Sequence, residues 1–425
     1  MNIRIEPKSL EGQVERVISS KSQAHRLLIC AALGGRPVSL SGVTFSKDVE
    51  ATCRCLKALG AEIAPEGEEL RVVPGRVPEG RRELDCGESG STLRFLLPVA
   101  AVLGAEADFT GRGKLAERPL SPLAEEMTAH GVSLSAPGTF PLACRGRLSP
   151  GTYTLAGNVS SQFFSGLLMA LPLAAGDSLL RVEGRLESAP YVEMTLDALR
   201  SFGVTAERTA EGFRIPGGQA YRGPERLRVE GDWSGAAFWL AAGALSRGSV
   251  TCGNLNLRSS QGDREMAALL RGFGAEVTES GDRVTVRGGK LRGMELDAAD
   301  IPDLVPILAV TAACAEGDTV IRRIARLRLK ESDRVESVLA LLRALGAEAE
   351  ASGQEMRIHG RGGFGGGTVD ACGDHRIAMA AAIAACRASG PVTILGAEAM
   401  EKSYPGFLEE YTALGGVWEK EEERT

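Results

Sequence analysis

The sequence predicts an α/β protein of two domains, each built from three copies of a βαβαββ unit. Three observations predict it. Helical patterns closing on a glycine recur at Ala58-Leu59-Gly60, Ala129-His130-Gly131, Ser201-Phe202-Gly203, Gly272-Phe273-Gly274, Ala344-Leu345-Gly346 and Ala413-Leu414-Gly415, with the glycines 69 to 72 residues apart. Glycine there suits the left-handed residue that ends a helix, and a period kept this closely marks a repeat architecture. A β-hairpin pattern follows the first five of these glycines, as in Ala275-Glu276-Val277-Thr278 and then Arg283-Val284-Thr285-Val286. A second helix recurs with the same period, beginning near Ser22, Ser91, Ser161, Ser234, Asp303 and Arg376, and is nearly uncharged after its first turn. A helix that is apolar all round is a buried one, so each unit pairs an interior helix with an amphipathic outer one.

Taken in order, the first strand (Asn2 to Glu6) stands ahead of the first full unit and is expected to pair with the C-terminal half. The chain then crosses between domains near residues 20 and 230. This gives a discontinuous domain of residues 1–19 and 231–425 and an inserted domain of residues 20–230. Gly360 to Gly367 reads as a flexible hairpin link, because no phosphate-loop Lys-Ser/Thr follows it. Glu419 to Thr425 reads as a solvated tail.

Composition narrows the function classes. A chain of 425 residues with 44% apolar content has ample material for two cores. The net charge of -6 gives no general attraction to nucleic acid or to an anionic membrane, so any anion site must be built locally. The nine cysteines are scattered without a CxxC, and the four histidines (His25, His130, His359, His375) form no ligand spacing with them. No metal site is expected, and all nine thiols read as buried in a reducing compartment. With no apolar signal core and no membrane-length run, the chain reads as soluble and cytoplasmic.

The chemistry concentrates at the starts of the interior helices. Amides left without partners there favour negative charge. The starts carry Lys21, Ser22 and Arg26; Gly87-Glu88-Ser89-Gly90-Ser91-Thr92-Leu93-Arg94; Ser160-Ser161-Gln162; Asp232-Trp233-Ser234; Pro302-Asp303; and Asp374-His375-Arg376. Ser and Asp are ordinary helix caps, and one such start would mean nothing more. The cations weigh against that reading. Leu327 to Arg334 adds Lys330 and Arg334, expected one helical turn apart on one face, with Glu331 beside them. Arg118, in Glu117-Arg118-Pro119, and Lys402, in Glu401-Lys402-Ser403-Tyr404-Pro405, join them. Such a set of cations with hydroxyl and amide donors suits small polyanionic substrates bearing phosphates and carboxylates. Asp303 and Glu331 are the candidates for acid–base work, with neighbouring cations favouring ionisation and burial opposing it. Asp48 and Asp232 read as caps or structural partners.

In this order, Lys21-Ser22 with Arg26, Gly87 to Arg94, Glu117-Arg118-Pro119, Ser160-Ser161-Gln162, Ser188-Ala189-Pro190-Tyr191, Pro302-Asp303, Leu327 to Arg334, Asp374-His375-Arg376 and Lys402-Ser403-Tyr404-Pro405 resemble the signature set of the 5-enolpyruvylshikimate-3-phosphate (EPSP) synthase family. The resemblance covers nearly the whole chain. It implies the enolpyruvyl-transferase fold, an inside-out α/β barrel of two domains with the active site in the cleft between them. It implies transfer of the enolpyruvyl group of phosphoenolpyruvate to the 5-hydroxyl of shikimate 3-phosphate, a step of aromatic amino-acid biosynthesis. No metal or organic cofactor enters, and a monomer is expected. Carried over by position, Lys21, Ser22, Arg26, Ser160, Ser161, Gln162, Ser188, Tyr191, Asp303, Arg326 and Lys330 would hold shikimate 3-phosphate. Lys21, Gly90, Arg118, Gln162, Arg334, Arg376 and Lys402 would hold phosphoenolpyruvate. Asp303 would be the base and Glu331 the acid that protonates the methylene carbon, with Lys330 and Lys21 assisting. Gly90 keeps the small residue that leaves room for glyphosate, the family's inhibitor.

Some positions depart from the family pattern. Ser20 stands where Gly is usual, Glu88 and Gly373 where Asn is common, and Arg326 where a residue, often Asn, contacts shikimate 3-phosphate. The related transferase acting on UDP-N-acetylglucosamine would carry a reactive Cys between Gly111 and Pro119, and this chain has none there. RNA 3'-phosphate cyclase shares the repeating unit but needs nucleotide chemistry that no motif here supplies. A binding scaffold without turnover is the alternative of a different class.

Overall fold

The computed structural model describes residues 1–421. Interior and outer helices alternate along the chain: α1 (Lys21–Ala32), α2 (Lys47–Ala58), α3 (Gly90–Leu103), α4 (Leu123–Ala129), α5 (Ser161–Ala170), α6 (Ala189–Ser201), α7 (Trp233–Leu245), α8 (Met266–Phe273), α9 (Val305–Ala313), α10 (Arg334–Ala344), α11 (His375–Ala384) and α12 (Phe407–Ala413). Every residue of α7, α9 and α11 is buried, as their lack of a polar face requires. The repeat glycines 60, 131, 203, 274, 346 and 415 all have positive φ, between 69° and 105°.

The chain divides into two compact units, Met1–Ser20 with Glu230–Thr425, and Lys21–Val229. Among the described residues each unit carries three four-stranded sheets of one pattern: a parallel pair extended on one side by two antiparallel strands. In the Lys21–Val229 unit the last strand, Arg226–Arg228, returns to lie parallel to Val38–Ser41 and completes the first sheet. The other unit closes differently. Asn2–Ile5 pairs antiparallel with both Val392–Leu395 and Trp418–Glu421, and Gly12–Val14 lies parallel to Ser249–Cys252. The N-terminal strand thus fills the hairpin place that the sixth repeat lacks in sequence.

Two expectations change. Glu419 to Glu421 belong to a paired strand rather than a solvated tail, because the edge of Asn2–Ile5 offers unpaired backbone groups; residues 422–425 lie outside the described residues. Seven cysteines are buried, but Cys372 is exposed and Cys386 partly so. Cys372 sits in the turn just before α11, outside the packed layers.

In the Lys21–Val229 unit the interior helices approach closely because of a Pro–Gly pair. Pro98 inside α3 has no amide to give the carbonyl of Arg94, and Gly166 of α5 lies against both residues. A Cβ at Gly166 would stand 2.4 Å from the Arg94 oxygen and 2.9 Å from Pro98 Cγ. That contact sets the spacing at which Arg94 and Gln162, near the starts of these helices, meet.

Candidate active site

Each unit gathers the starts of its interior helices into a polar cluster. In the Lys21–Val229 unit, a buried hydrogen-bond chain runs from His25 Nδ1 to Thr52 Oγ1 (2.7 Å), on to Thr92 Oγ1 (2.7 Å), and to the helix cap Ser89 (2.8 Å). It ties α1, α2 and α3 together. Burial, then the charges of Lys21 and Arg26, hold the His25 imidazole neutral, well below its usual range. Lys21 opens α1 and pairs with Asp48 in the first turn of α2 (Nζ–Oδ2 3.0 Å), so Asp48 is a structural partner as expected.

Arg26 is buried and braced. Its guanidinium donates to Thr195 Oγ1 (2.8 Å), Ser165 Oγ (3.2 Å) and the carbonyls of Ser22 (2.6 Å) and Tyr191 (2.8 Å), and it lies over the Phe95 ring. Burial pulls it down to about 10, which still leaves it cationic at neutral pH. Through these bonds Arg26 joins Ser22, Ser165 and the start of α6, where buried Ser188 takes a left-handed conformation (φ 55°) just ahead of Tyr191. Ser160 caps α5, accepting from the Gln162 amide (3.3 Å). The Gln162 side chain donates to Ser91 Oγ (2.9 Å) and accepts from Arg94 Nη1 (2.8 Å). Arg94 also donates to the Pro119 carbonyl (2.8 Å), which fixes the turn carrying Arg118. Arg118 in turn lies against Gly90: a Cβ on Gly90 would stand 2.6 Å from Arg118 Nη1.

In the other unit the cluster centres on Asp303. Its Oδ1 pairs with Lys330 Nζ (3.2 Å) and Arg334 Nη1 (2.7 Å), and its Oδ2 with Arg376 Nη2 (3.0 Å). Burial pushes the Asp303 carboxyl up, but Arg376, Lys330 and Arg334 together outweigh it and hold the group well below the usual range. Lys330 is lowered to about 8, chiefly by burial, against the pull of Asp303. Arg326, buried in the same turn, adds to that lowering.

The expectation that Lys330 and Arg334 share a helical face is corrected. Lys330 follows a 3-10 turn at Ala325–Leu329, and α10 begins only at Arg334, capped by Asp333 (to Val335 N, 3.1 Å). Asp303 likewise precedes α9 in a turn instead of starting the helix. The two cations still converge, because the irregular backbone at 330–333 sends successive side chains in different directions. Lys330 goes to Asp303, Glu331 accepts from Arg334 Nη2 (2.8 Å), and Ser332 donates to Asp374 Oδ2 (3.1 Å). Arg334, 1% exposed, also donates from Nε to Asp374 Oδ2 (2.8 Å), while Asp374 caps α11 through the Arg376 amide (2.9 Å). Burial opposes the Arg334 charge, but Asp374, Glu331 and Asp303 more than offset it and raise the guanidinium well above its usual range. Lys402 Nζ bonds the Gly373 carbonyl (2.9 Å), beside the start of α11.

Sequence reasoning gave no role to Asp374, Arg94, Thr195, Ser165 or Asp263. Arg94 carried a signal, a charge one turn into an otherwise apolar helix. Asp374 reads in sequence as an ordinary helix cap and Asp263 carries no signal there; burial, at 0% and 1%, sets both apart.

The fold is that of the enolpyruvyl transferases. The fold matches the enolpyruvyl transferase NikO from Streptomyces tendae (TM-score 0.79, 20% identity, covering 99% of this chain and 98% of that one). It also matches EPSP synthase from Acinetobacter baumannii (TM-score 0.84, 26% identity, 99% and 100% covered). The family model of EPSP synthase (3-phosphoshikimate 1-carboxyvinyltransferase) matches residues 5–411. Relatives named 3-phosphoshikimate 1-carboxyvinyltransferase from Clostridium kluyveri and Clostridium acetobutylicum are 42% and 41% identical, each over 97% of both chains. The chain belongs to the EPSP synthase family.

Proposed function

We infer that this enzyme transfers the enolpyruvyl group of phosphoenolpyruvate to the 5-hydroxyl of shikimate 3-phosphate, working as a cytoplasmic monomer. The observation that carries the reading is the Asp303 carboxylate held by Lys330, Arg334 and Arg376 ahead of a buried helix. Arg334 is also balanced by Asp374 and Glu331, whereas Lys330 and Arg376 share Asp303 as their ion-pair partner, and an incoming anion adds the negative charge this pair of cations favours.

Shikimate 3-phosphate is assigned to Lys21, Ser22, Arg26, Ser160, Ser161, Gln162, Ser188, Tyr191, Asp303, Arg326 and Lys330. Phosphoenolpyruvate is assigned to Lys21, Gly90, Arg118, Gln162, Arg334, Arg376 and Lys402. The 5-hydroxyl oxygen bonds to C2 of phosphoenolpyruvate, its proton passing to Asp303, while Glu331 protonates C3. The tetrahedral adduct then loses phosphate from C2, the phosphate taking the proton held by Asp303, while a proton of the new methyl group returns to Glu331 and the double bond is restored. Asp303 is a weak base while three cations hold it; each substrate anion that takes a share of Arg334 or Arg376 raises its basicity. Lys21 and Lys330 stabilise the charge on the departing phosphate.

The test is phosphate release, which is expected with both substrates together and with neither alone. No release with both overturns the reading in favour of a binding scaffold. Gly90→Ala is expected to push the Arg118 guanidinium aside. The KM for phosphoenolpyruvate then rises about tenfold, as for one charged contact weakened, while circular dichroism stays unchanged. Inhibition by glyphosate, competitive with phosphoenolpyruvate, is expected to weaken as well. Unchanged KM and unchanged inhibition contradict the placement of Arg118.

A further inference from the structure

Asp263 lies in the 3-10 turn Gly262–Glu265 and is 1% exposed. Its Oδ2 accepts from Ser234 Oγ in the first turn of α7, while its Oδ1 is buried with no hydrogen-bond partner. A carboxylate is purely an acceptor, and leaving one of its oxygens dry and unpaired is costly, so the neutral acid is favoured at this place. The charges that act on it belong to three elements of the fold. Asp232, the cap of α7, and Asp303, ahead of α9, repel a negative charge; Arg376 of α11 attracts one. From α8 the buried residues are apolar: Met266, Ala267, Leu270 and Phe273. Burial, then Asp303, outweigh Arg376 and the Ser234 hydroxyl, and the group is raised to about 7. Asp263 therefore gains its negative charge in the neutral range, inside the field of a guanidinium already paired with Asp303.

We propose that Asp263 is a positioning residue that gates Arg376. As the acid it leaves that guanidinium to Asp303 and the incoming anion, and as the carboxylate it competes with the anion for the same charge. The proposal rests on the reading that Arg376 receives phosphoenolpyruvate. Its consequence is a KM for phosphoenolpyruvate that climbs as pH rises through neutrality. The effect follows from linkage: an anion that binds better beside the acid form also raises the proton affinity of that form.

The experiment compares wild type with Asp263→Asn, an isostere locked in the neutral form. The KM for phosphoenolpyruvate and kcat are measured from pH 6 to 9 at saturating shikimate 3-phosphate. Titration of Lys330 and of the substrate's own phosphate is common to both proteins, so the ratio of their KM values isolates Asp263. That ratio is expected to be near one at pH 6 and to rise about three- to tenfold by pH 8.5, the scale of a single partly shielded charge. A purely structural role would shift both profiles together, and parallel profiles with normal wild-type turnover overturn the gate alone. Absence of wild-type turnover overturns the substrate reading and the gate with it. If Asp263→Asn does not fold, wild type labelled with 13C at the aspartate carboxyls decides the matter. One aspartate carboxyl is expected to titrate between pH 6 and 8, and a spectrum in which none does so overturns the proposal.

Discussion

Asp303→Asn is expected to lower kcat by about 10³-fold, within the range for losing a positioned general base. Asparagine keeps the shape of the side chain and can still accept a hydrogen bond, but it carries no charge and cannot take the hydroxyl proton. The same change leaves Lys330, Arg334 and Arg376 without their common carboxylate, while Arg334 keeps its ion pairs with Asp374 and Glu331. A loss of about 3 kcal/mol in unfolding free energy is therefore expected as well. Because the Asp303 carboxyl is held below its unfolded value, its contribution to stability is present above about pH 4, the ordinary aspartate range, and fades as pH falls through the folded value. The stability gap between the variant and wild type should therefore narrow in acid. Shikimate 3-phosphate and phosphoenolpyruvate together should restore part of the lost stability, since they return negative charge to the cations. Single-turnover kinetics and urea unfolding check both halves. Near-normal kcat in a folded variant removes Asp303 from the chemistry.

Arg334→Ala has the second large effect, and it falls mainly on the fold. Arg334 and Asp374 are 1% and 0% exposed, so their pairing is not screened by water. Truncating the arginine leaves the Asp374 charge buried with Ser332 Oγ and the helix amide as its remaining partners. A loss of about 3–5 kcal/mol is expected, read as a lower urea midpoint. Arg334→Lys should recover only part of this. A lysine carries one charged head, whereas the guanidinium fork reaches Asp374, Asp303 and Glu331 at once. A variant within about 1 kcal/mol of wild type would mean that the pair is no more than a surface ion pair in effect.

Much of the architecture was legible because it is periodic. Burial of an all-apolar helix and the left-handed turn after a glycine are local demands, and six repetitions make them unmistakable. The missing sixth hairpin was legible as an absence, and with it the strand at Asn2–Ile5 had a vacant place to fill. The run from Leu327 to Arg334 was legible as an anion site but not in its geometry. Helical spacing brought Lys330 and Arg334 together on paper, whereas Asp333 caps the helix behind Lys330 and an irregular turn brings them together in the fold.

The order of residues by itself determined the repeat, the alternation of interior and outer helices, and the set of cations at the helix starts, because each depends on neighbours within a few turns. Tertiary structure alone decided which of those charges meet. Asp303 faces Arg376, Arg334 faces Asp374, and Asp263 stands buried with one oxygen unpaired. Electrostatic energy depends on separation in space and on the water excluded between charges, and neither is written in residues 73 or 40 positions apart along the chain.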